Sequence, residues 1–488
     1  MDTIRLILEL VRIKHFQGDT IIMNLKLVVA SMSVLGLVIC PVLADAKAKH
    51  KHHKHQMVEH HDYKDMGALP YKDQPVCTIS QNTVVMTDMT QNMGRSLPNP
   101  CNPGWFNRIA VSGGVNVDLG KFGNRNPTYM GENYQRFSLN DAYLNVAADV
   151  NEWAKAFASL SYNTASITAP ASGLTAPTTV TGNFSTEYSS AYSNNVTSGA
   201  ISTVQLEQAF ATFGNLDESP FFVQVGKHFQ DFSRYEIHPI TRSLTQVISE
   251  TLATSVGVGF LANGFNGQIY GFDDPIAKVT KTAKTTNYGV SLGYSQPSDC
   301  LGWDIGAGYL YNMIGVNDVA YSVNQNNQLS GAGGGYNTRI GAAAVYADVN
   351  SGPFMIGARY TAALSRFNAF DLQKNGIADL TLSGAGNSLS STGSGQGAKP
   401  WAAGIKAGYG FDAFGKNSNV YVGYEASREA AGLFIPKSRW LLGVGADVFG
   451  KNTNVGVEWD HDNAYSVGNG GTGNNTNLVS IRSSVKFG

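Results

Sequence analysis

The stretch from Phe229 to Leu252 gathers Asp231, Arg234, Glu236, His238, Arg242 and Glu250, with Lys227 and His228 standing just before it. Charges of both signs on one short loop have two uses. At a constriction they select solutes through a local field, which low-dielectric walls strengthen. An arginine such as Arg234 or Arg242 can there grip a carboxylate through two parallel N–H···O bonds. Alternatively the charges pair with one another or with a wall and hold the loop in place. The sequence leaves both readings open. Lys155, Arg339, Arg359 and Lys406 occupy the polar phase of alternating segments and extend a basic track. Asp141, Asp149, Asp447, Glu458 and Asp460 balance it.

Other reactive groups point to less. His50, His52, His53 and His55, with His60 and His61 beyond, are weak metal candidates, because imidazole suits Zn, Cu, Ni and Fe. Their spacing fixes no coordination geometry, and the interleaved lysines repel cations, so a solvated basic tail is the simpler expectation. Cys77 and Cys101 flank a short polar stretch and can form a disulfide in an oxidising compartment, which leaves Cys300 unpaired. Cys40 follows Ile39, where a lipoprotein signal wants a small residue. Asp460-His461-Asp462 comes nearest to a catalytic set, but strand phase groups His461 with Val455, Val457 and Trp459 on an apolar face. No Walker-type phosphate loop, zinc-protease helix or nucleophile elbow occurs. Neither an enzyme nor a cofactor is expected.

The composition narrows the class. Of 488 residues only 15% are charged, with 54 Gly, 22 Tyr, 23 Phe and a net charge of −1; soluble domains carry roughly 25% charge. A near-neutral chain offers no support for nucleic-acid binding, which calls for a basic face. Beginning at Met23, Lys26, the apolar run Leu27–Ile39 and the small residues up to Ala44 and Ala46 read as a cleavable export signal. The expected organisation is a misassigned start over 1–22, a signal peptide over 23–44, a polar His/Lys-rich periplasmic extension over 45–106, and one domain over 107–488. A longer signal with an amphipathic extension is the rival for the first segment.

That domain is a succession of period-two segments. Ile109, Val111, Val115, Val117 and Leu119 share one face, with Ser112, Asn116 and Asp118 on the other. The same alternation marks 141–150, 154–163, 354–364, 401–411 and 440–448. Weaker versions lie near 203–213, 220–228, 253–262, 264–272, 286–296, 302–313, 337–349, 418–428, 453–462 and 478–487, which completes sixteen candidates. Several run ten to twelve residues, the length a tilted strand needs to cross a membrane. Short gaps alternate with long ones throughout: Asn151-Glu152, GNLDES, the Asn263 turn, PSDCL, NSGP, DAFGKN and GKNT are each followed by a longer connection. Even strand number, short turns on one side and long loops on the other are the signature of bacterial membrane barrels. The expected fold is therefore all-β, a transmembrane antiparallel up-and-down barrel of about sixteen strands. The final run NLVSIRSSVKFG sets Val479, Ile481, Val485 and Phe487 on one face. It resembles the terminal signal read by the barrel assembly machinery.

Residues 206–251 carry a more specific likeness. The turn Thr212-Phe213-Gly214-Asn215-Leu216 with Pro220, then Val225-Gly226-Lys227, Leu244-Thr245 and Glu250-Thr251 resemble a gammaproteobacterial outer-membrane barrel family known as siderophore porins. The loop reads Gln230-Asp231-Phe232-Ser233 where that family has Pro-Phe-Gly. The resemblance implies an outer-membrane pore in which the loop after the fifth strand folds inward, as in general porins. It also implies facilitated diffusion of small hydrophilic solutes, an iron–siderophore complex among them. About sixty residues, 45–106, precede the first strand, too few for the plug of a receptor with roughly 22 strands. Expected partners are outer-membrane lipid, the assembly machinery and the solute, with homotrimer and monomer both open. The rival reading is a surface-adhesion barrel whose long Ser/Thr/Asn/Gly loops near 164–202 and 367–399 bind host molecules.

Overall fold

A computed structural model describes residues 109–122, 135–151, 153–165 and 201–487, apart from 217, 235–239, 297–300, 330–333, 376–379, 384–387, 392–394 and 451. The export signal, the His/Lys-rich segment, all four cysteines and most of the 164–202 connection lie outside the described residues.

The chain from Ile109 forms an antiparallel barrel of sixteen strands. They are β1 (Ile109–Phe122), β2 (Gln135–Asn151), β3 (Ala154–Ala165), β4 (Ile201–Phe213), β5 (Phe221–Phe229), β6 (Leu252–Ala262), β7 (Phe265–Asp273), β8 (Thr286–Gln296), β9 (Gly302–Leu310), β10 (Ala342–Ser351), β11 (Phe354–Ala363), then β14 (Trp401–Ala413), β15 (Lys416–Arg428), β16 (Ser438–Asp447), β17 (Thr453–Asn463) and β18 (Asn475–Phe487). Each pairs with its sequence neighbour, and β1 closes on β18 in a register running from Gly113↔Phe487 to Phe122↔Leu478. The hairpin β12 (Leu380–Ser383) and β13 (Ser388–Ser391) stands apart in the loop between β11 and β14.

The side-chain alternation runs in the opposite sense from a soluble protein. Val111, Val204, Val256, Ile269, Leu292, Leu442 and Val485 are 44–69% exposed on the outer wall. Asp141, Asn145, Lys155, Arg359, Lys406, Glu458 and Asp460 face inward and are buried. An outer surface this apolar is stable only against lipid. A closed sheet leaves no edge N–H or C=O unpaired in hydrocarbon. Aromatic pairs on the outer face, Tyr288–Tyr311, Phe354–Tyr409 and Tyr424–Trp440 among them, supply interfacial anchors. The protein is an outer-membrane β-barrel.

Two features go beyond the strand pattern. The β9–β10 connection folds into a 3-10 turn (Met313–Gly315) and a helix of thirteen residues, Asn317–Leu329; the four-residue helix α1 (Leu244–Val247) precedes it in the chain and the longer one is α2. Val319, Ala320 and Val323 of α2 join Met313, Ile314, Phe367, Leu372, Leu433 and Ile435 from three outer loops in one apolar cluster, together with Phe232, Leu244, Val247 and Ile248. The segment expected as a strand over 337–349 becomes β10 only from Ala342, because residues 336–340 are held by the loops. The Asn337 and Thr338 amides both donate to Asp371.

Candidate functional site

The described residues of the loop between β5 and β6, 230–234 and 240–251, lie inside the barrel, bonded to its inner wall. The loop's base is closed by the Gln230 amide donating to the Thr251 carbonyl at 2.8 Å. The Gln230 side-chain amide donates to the carbonyls of His228 and Ala253 and to Ser255 Oγ. His228 is fully buried beneath this turn, with Nδ1 2.9 Å from the Phe229 carbonyl and Nε2 3.0 Å from Ser255 Oγ. It therefore positions the loop rather than facing a solute. Two glycines permit close backbone approaches here. Gly226, in the Val225-Gly226-Lys227 motif, has φ 136°, and a Cβ there would stand 2.3 Å from the Ala209 carbonyl oxygen of the neighbouring strand β4. Gly308 on β9 lets the Phe232 backbone approach so closely that a Cβ would sit 2.0 Å from its carbonyl oxygen.

From this base the loop reaches two separate regions of the wall. Near β8–β10, Ser291 Oγ donates to Asp231 at 2.8 Å, and Arg234 pairs with Asp304 at 3.3 Å while lying 5.2 Å from the Tyr346 ring centroid. Arg359 approaches the same ring at 5.7 Å and forks onto Asp348 at 2.8 and 2.9 Å. Near β15–β17, the loop docks through its backbone. The Thr241 amide donates to Glu458 and the Thr241 hydroxyl to Asp460, both at 2.7 Å. The Leu244 amide at the start of α1 donates to Glu425 at 3.1 Å, satisfying an N–H that a helix start leaves orphaned. Ser243 caps the same helix by accepting from the Gln246 amide. Arg242 pairs with Asp318 of α2 at 2.6 Å and with Glu250 at 3.2 Å.

Sequence reading missed the group on which this docking turns, Arg439. It is 1% exposed, forks onto Asp462 at 2.7 and 2.8 Å, and donates to the Arg242 carbonyl at 3.1 Å. Glu425, Glu458, Asp460 and Asp462 thus crowd around one guanidinium. Strand phase could have found the set, since all five alternate with the apolar residues of β15, β16 and β17.

Other expected site residues fall differently. Asp231 and Arg234 lie together against β8–β10, whereas Arg242 and Glu250 pair with each other beside α2, so the four do not form one cluster; Glu236 and His238 lie outside the described residues. Lys227 departs from expectation. It shares the outward face of Phe221 and Val225, and its Nζ reaches the Leu206 carbonyl at 3.0 Å. The phase of β5 places His228, not Lys227, inside. Arg339 also departs from the basic track, because it precedes β10 and is exposed, 5.3 Å from the Tyr311 ring centroid with its Nη1 3.3 Å from the Tyr311 hydroxyl. Of the remaining three, Lys155 donates to the Asn151 carbonyl at 2.6 Å and Lys406 lies over the Tyr421 ring at 5.3 Å. Arg359 is taken by Asp348, so these side chains are interleaved with acceptors and do not form a continuous track. His461 stacks on Trp459 on the outer face, as its phase implied.

Outside the membrane, the loops are pinned by buried carboxylates. Asp274 accepts from Thr285, Asn287, Asn312 and Tyr336; burial raises its pKa and those four donors oppose the rise. Burial also acts to raise Glu429. The fork from Arg366 and the Lys399 amide outweigh it and leave that carboxyl below its ordinary value.

No family model matches the chain. It is 25% identical over 246 residues to a UPF0422 protein of Coxiella burnetii (strain RSA 493 / Nine Mile phase I), covering 49% of this chain and 47% of that protein. It is 26% identical over 311 residues to a UPF0422 protein of Legionella pneumophila (strain Lens), covering 59% and 54%. The chain thus spans about half the length of the relatives it matches. Among solved structures, Pseudomonas putida OprB aligns with a TM-score of 0.49 at 12% identity, covering 78% of this chain and 94% of that one. Salmonella typhi OmpF in complex with daunomycin aligns with a TM-score of 0.46 at 13% identity, covering 78% and 97%.

Proposed function

We propose that the protein is an outer-membrane pore that passes small hydrophilic solutes by facilitated diffusion, through a lumen narrowed by the loop 230–251. The carrying observation is that this loop is built to stay inside: its amides, a hydroxyl and an arginine are all bonded to charged groups of the wall. Sixteen strands enclose enough space for an aqueous channel, whereas about eight would pack shut. The lumen wall is rich in carboxylates, and its arginines are engaged by them. Among the described residues Arg234, Arg359, Arg439 and Arg482 are each held by a carboxylate, so they offer a carboxylate-rich iron chelate no basic gate, and the reading favours neutral and cationic solutes. Proteoliposomes loaded with the folded protein test this. Swelling in small neutral sugars and ammonium salts is expected to exceed swelling in organic-acid salts of similar size. Equal, protein-independent swelling in all of them would remove the proposal.

The adhesion reading has one observation in its favour. The apolar cluster of α2 and its neighbouring loops packs one side of the outer mouth and gives the barrel a built surface. Deleting the 367–399 loop separates the two, since solute passage survives in a pore while host-surface binding is lost in an adhesin.

A further inference from the structure

The two rims of the barrel differ in charge. Among the described residues at the long-loop rim, the exposed basic side chains besides Arg366, which Glu429 engages, are Lys281, Lys284, Arg339, Lys399, Arg428 and Lys437. Asp273 is the exposed carboxylate there. Among the described residues at the short-turn rim the exposed charges are Glu218, Asp412 and Lys416, with no basic excess. Asp274, Asp371 and Glu429, which could have balanced the long-loop rim, are turned inward and buried by their hydrogen bonds.

Several of these cations stand on the lipid-facing side rather than over the mouth. Arg428 ends the outward phase of β15, two residues beyond Ala426 and four beyond Tyr424, and pairs in register with Trp401, whose ring lies 6.1 Å from Tyr360. Lys437 is linked to the same strand end by the Ser427 amide, which donates to its carbonyl at 2.8 Å, and exposed Trp440 follows on β16. Arg339 caps the stacked pair Tyr311–Tyr288, whose ring centroids are 4.5 Å apart. Arg339 thus stands over an aromatic ring, and Arg428 and Lys437 lie at strand ends that also carry Trp401 and Trp440.

We infer that this rim is a binding belt for the phosphate groups of a phosphorylated glycolipid, the lipopolysaccharide of the outer leaflet. Aromatic rings settle at the glycolipid interface, and arginine takes phosphate oxygens in its planar fork while lysine acts as a point charge. The described residues of the rim that faces the other leaflet show neither the excess nor the arrangement. Nothing in this inference depends on solute passage, since a closed barrel would carry the same belt.

The test uses the folded full-length protein in detergent with purified lipopolysaccharide, its enzymatically dephosphorylated form, and phosphatidylglycerol as probes. Wild type is expected to bind lipopolysaccharide more tightly than either comparison lipid. In the triple variant Arg339→Gln/Lys399→Gln/Arg428→Gln affinity is expected to fall by about fivefold per cation removed, while Lys416→Gln at the opposite rim leaves it unchanged. All four side chains are exposed, and retention of the folded, heat-modifiable band on gels confirms the barrel in each variant. Equal affinity of wild type for phosphorylated and dephosphorylated lipid would overturn the belt, whatever the variants do. So would a triple variant that binds as wild type does.

Discussion

Replacing Arg439 with Gln is expected to do two linked things to the barrel. The side chain is 1% exposed and makes a fork to Asp462, an approach of 4.0 Å to Glu425 and a bond to the Arg242 carbonyl of the inward loop. Removing one partner of a buried ion pair costs about 3–5 kcal/mol. The neighbours here raise that cost, because Asp462 and Glu425 lose their cation while Glu458 and Asp460 stay close. If the loop stays docked, the full cost appears as a lower unfolding temperature, read from loss of the heat-modifiable form. If the loop lifts away and water reaches the carboxylates, the cost shrinks and single-channel conductance rises with a stronger preference for cations. Arg439→Lys keeps the charge without the fork and should fall between, since one ammonium cannot reproduce two parallel bonds. A Gln variant with both unfolding temperature and conductance unchanged would refute the view that this arginine fastens the loop to the wall.

Further expectations follow from other contacts. Gly308→Ala places a methyl group against the Phe232 carbonyl, at a cost of about 1–3 kcal/mol for overpacking; shifted unfolding and altered conductance should appear together, whereas Gly271→Ala, where a Cβ meets nothing closer than 3.8 Å, should be silent. Leu372→Ala opens the apolar cluster at a fully buried position, costing about 2–5 kcal/mol, and should speed protease cleavage of the outer loops without touching the strands. The Arg366–Glu429 fork is pH-dependent in one direction. A carboxyl held below its ordinary value stabilises the fold above the ordinary glutamate range and loses that contribution as pH falls through the lowered value. Protease resistance of the 364–400 loop should therefore drop on acidification, and Glu429→Gln should be weak at neutral pH with less acid sensitivity.

The barrel was legible in the sequence because a membrane wall imposes two strict rules, alternate side chains and alternate connection lengths. The expected runs at 154–163, 286–296 and 354–364 match β3, β8 and β11 closely. What did not show was the folded content of the outer loops. The helix α2 reads Asn-Asp-Val-Ala-Tyr-Ser-Val-Asn-Gln-Asn-Asn-Gln-Leu, a polar string with few strong helix formers. It is helical because Val319, Ala320 and Val323 find apolar partners contributed by three distant loops. Lys227 and Arg339 were misplaced for local reasons. One lies a residue out of the inward phase, and the other lies before the strand begins. Arg439 was overlooked because a single arginine in an alternating strand carries no motif; its partners come from β17, β15 and a loop nearly two hundred residues earlier.

The most direct trial of the pore reading is planar-bilayer recording of the folded full-length protein under a potassium chloride gradient. Discrete conductance steps are expected, with a reversal potential whose sign shows potassium passing more readily than chloride, and larger steps once residues 232–248 are replaced by a short Gly/Ser linker. A folded barrel that inserts yet gives no steps, with or without that loop, would contradict it.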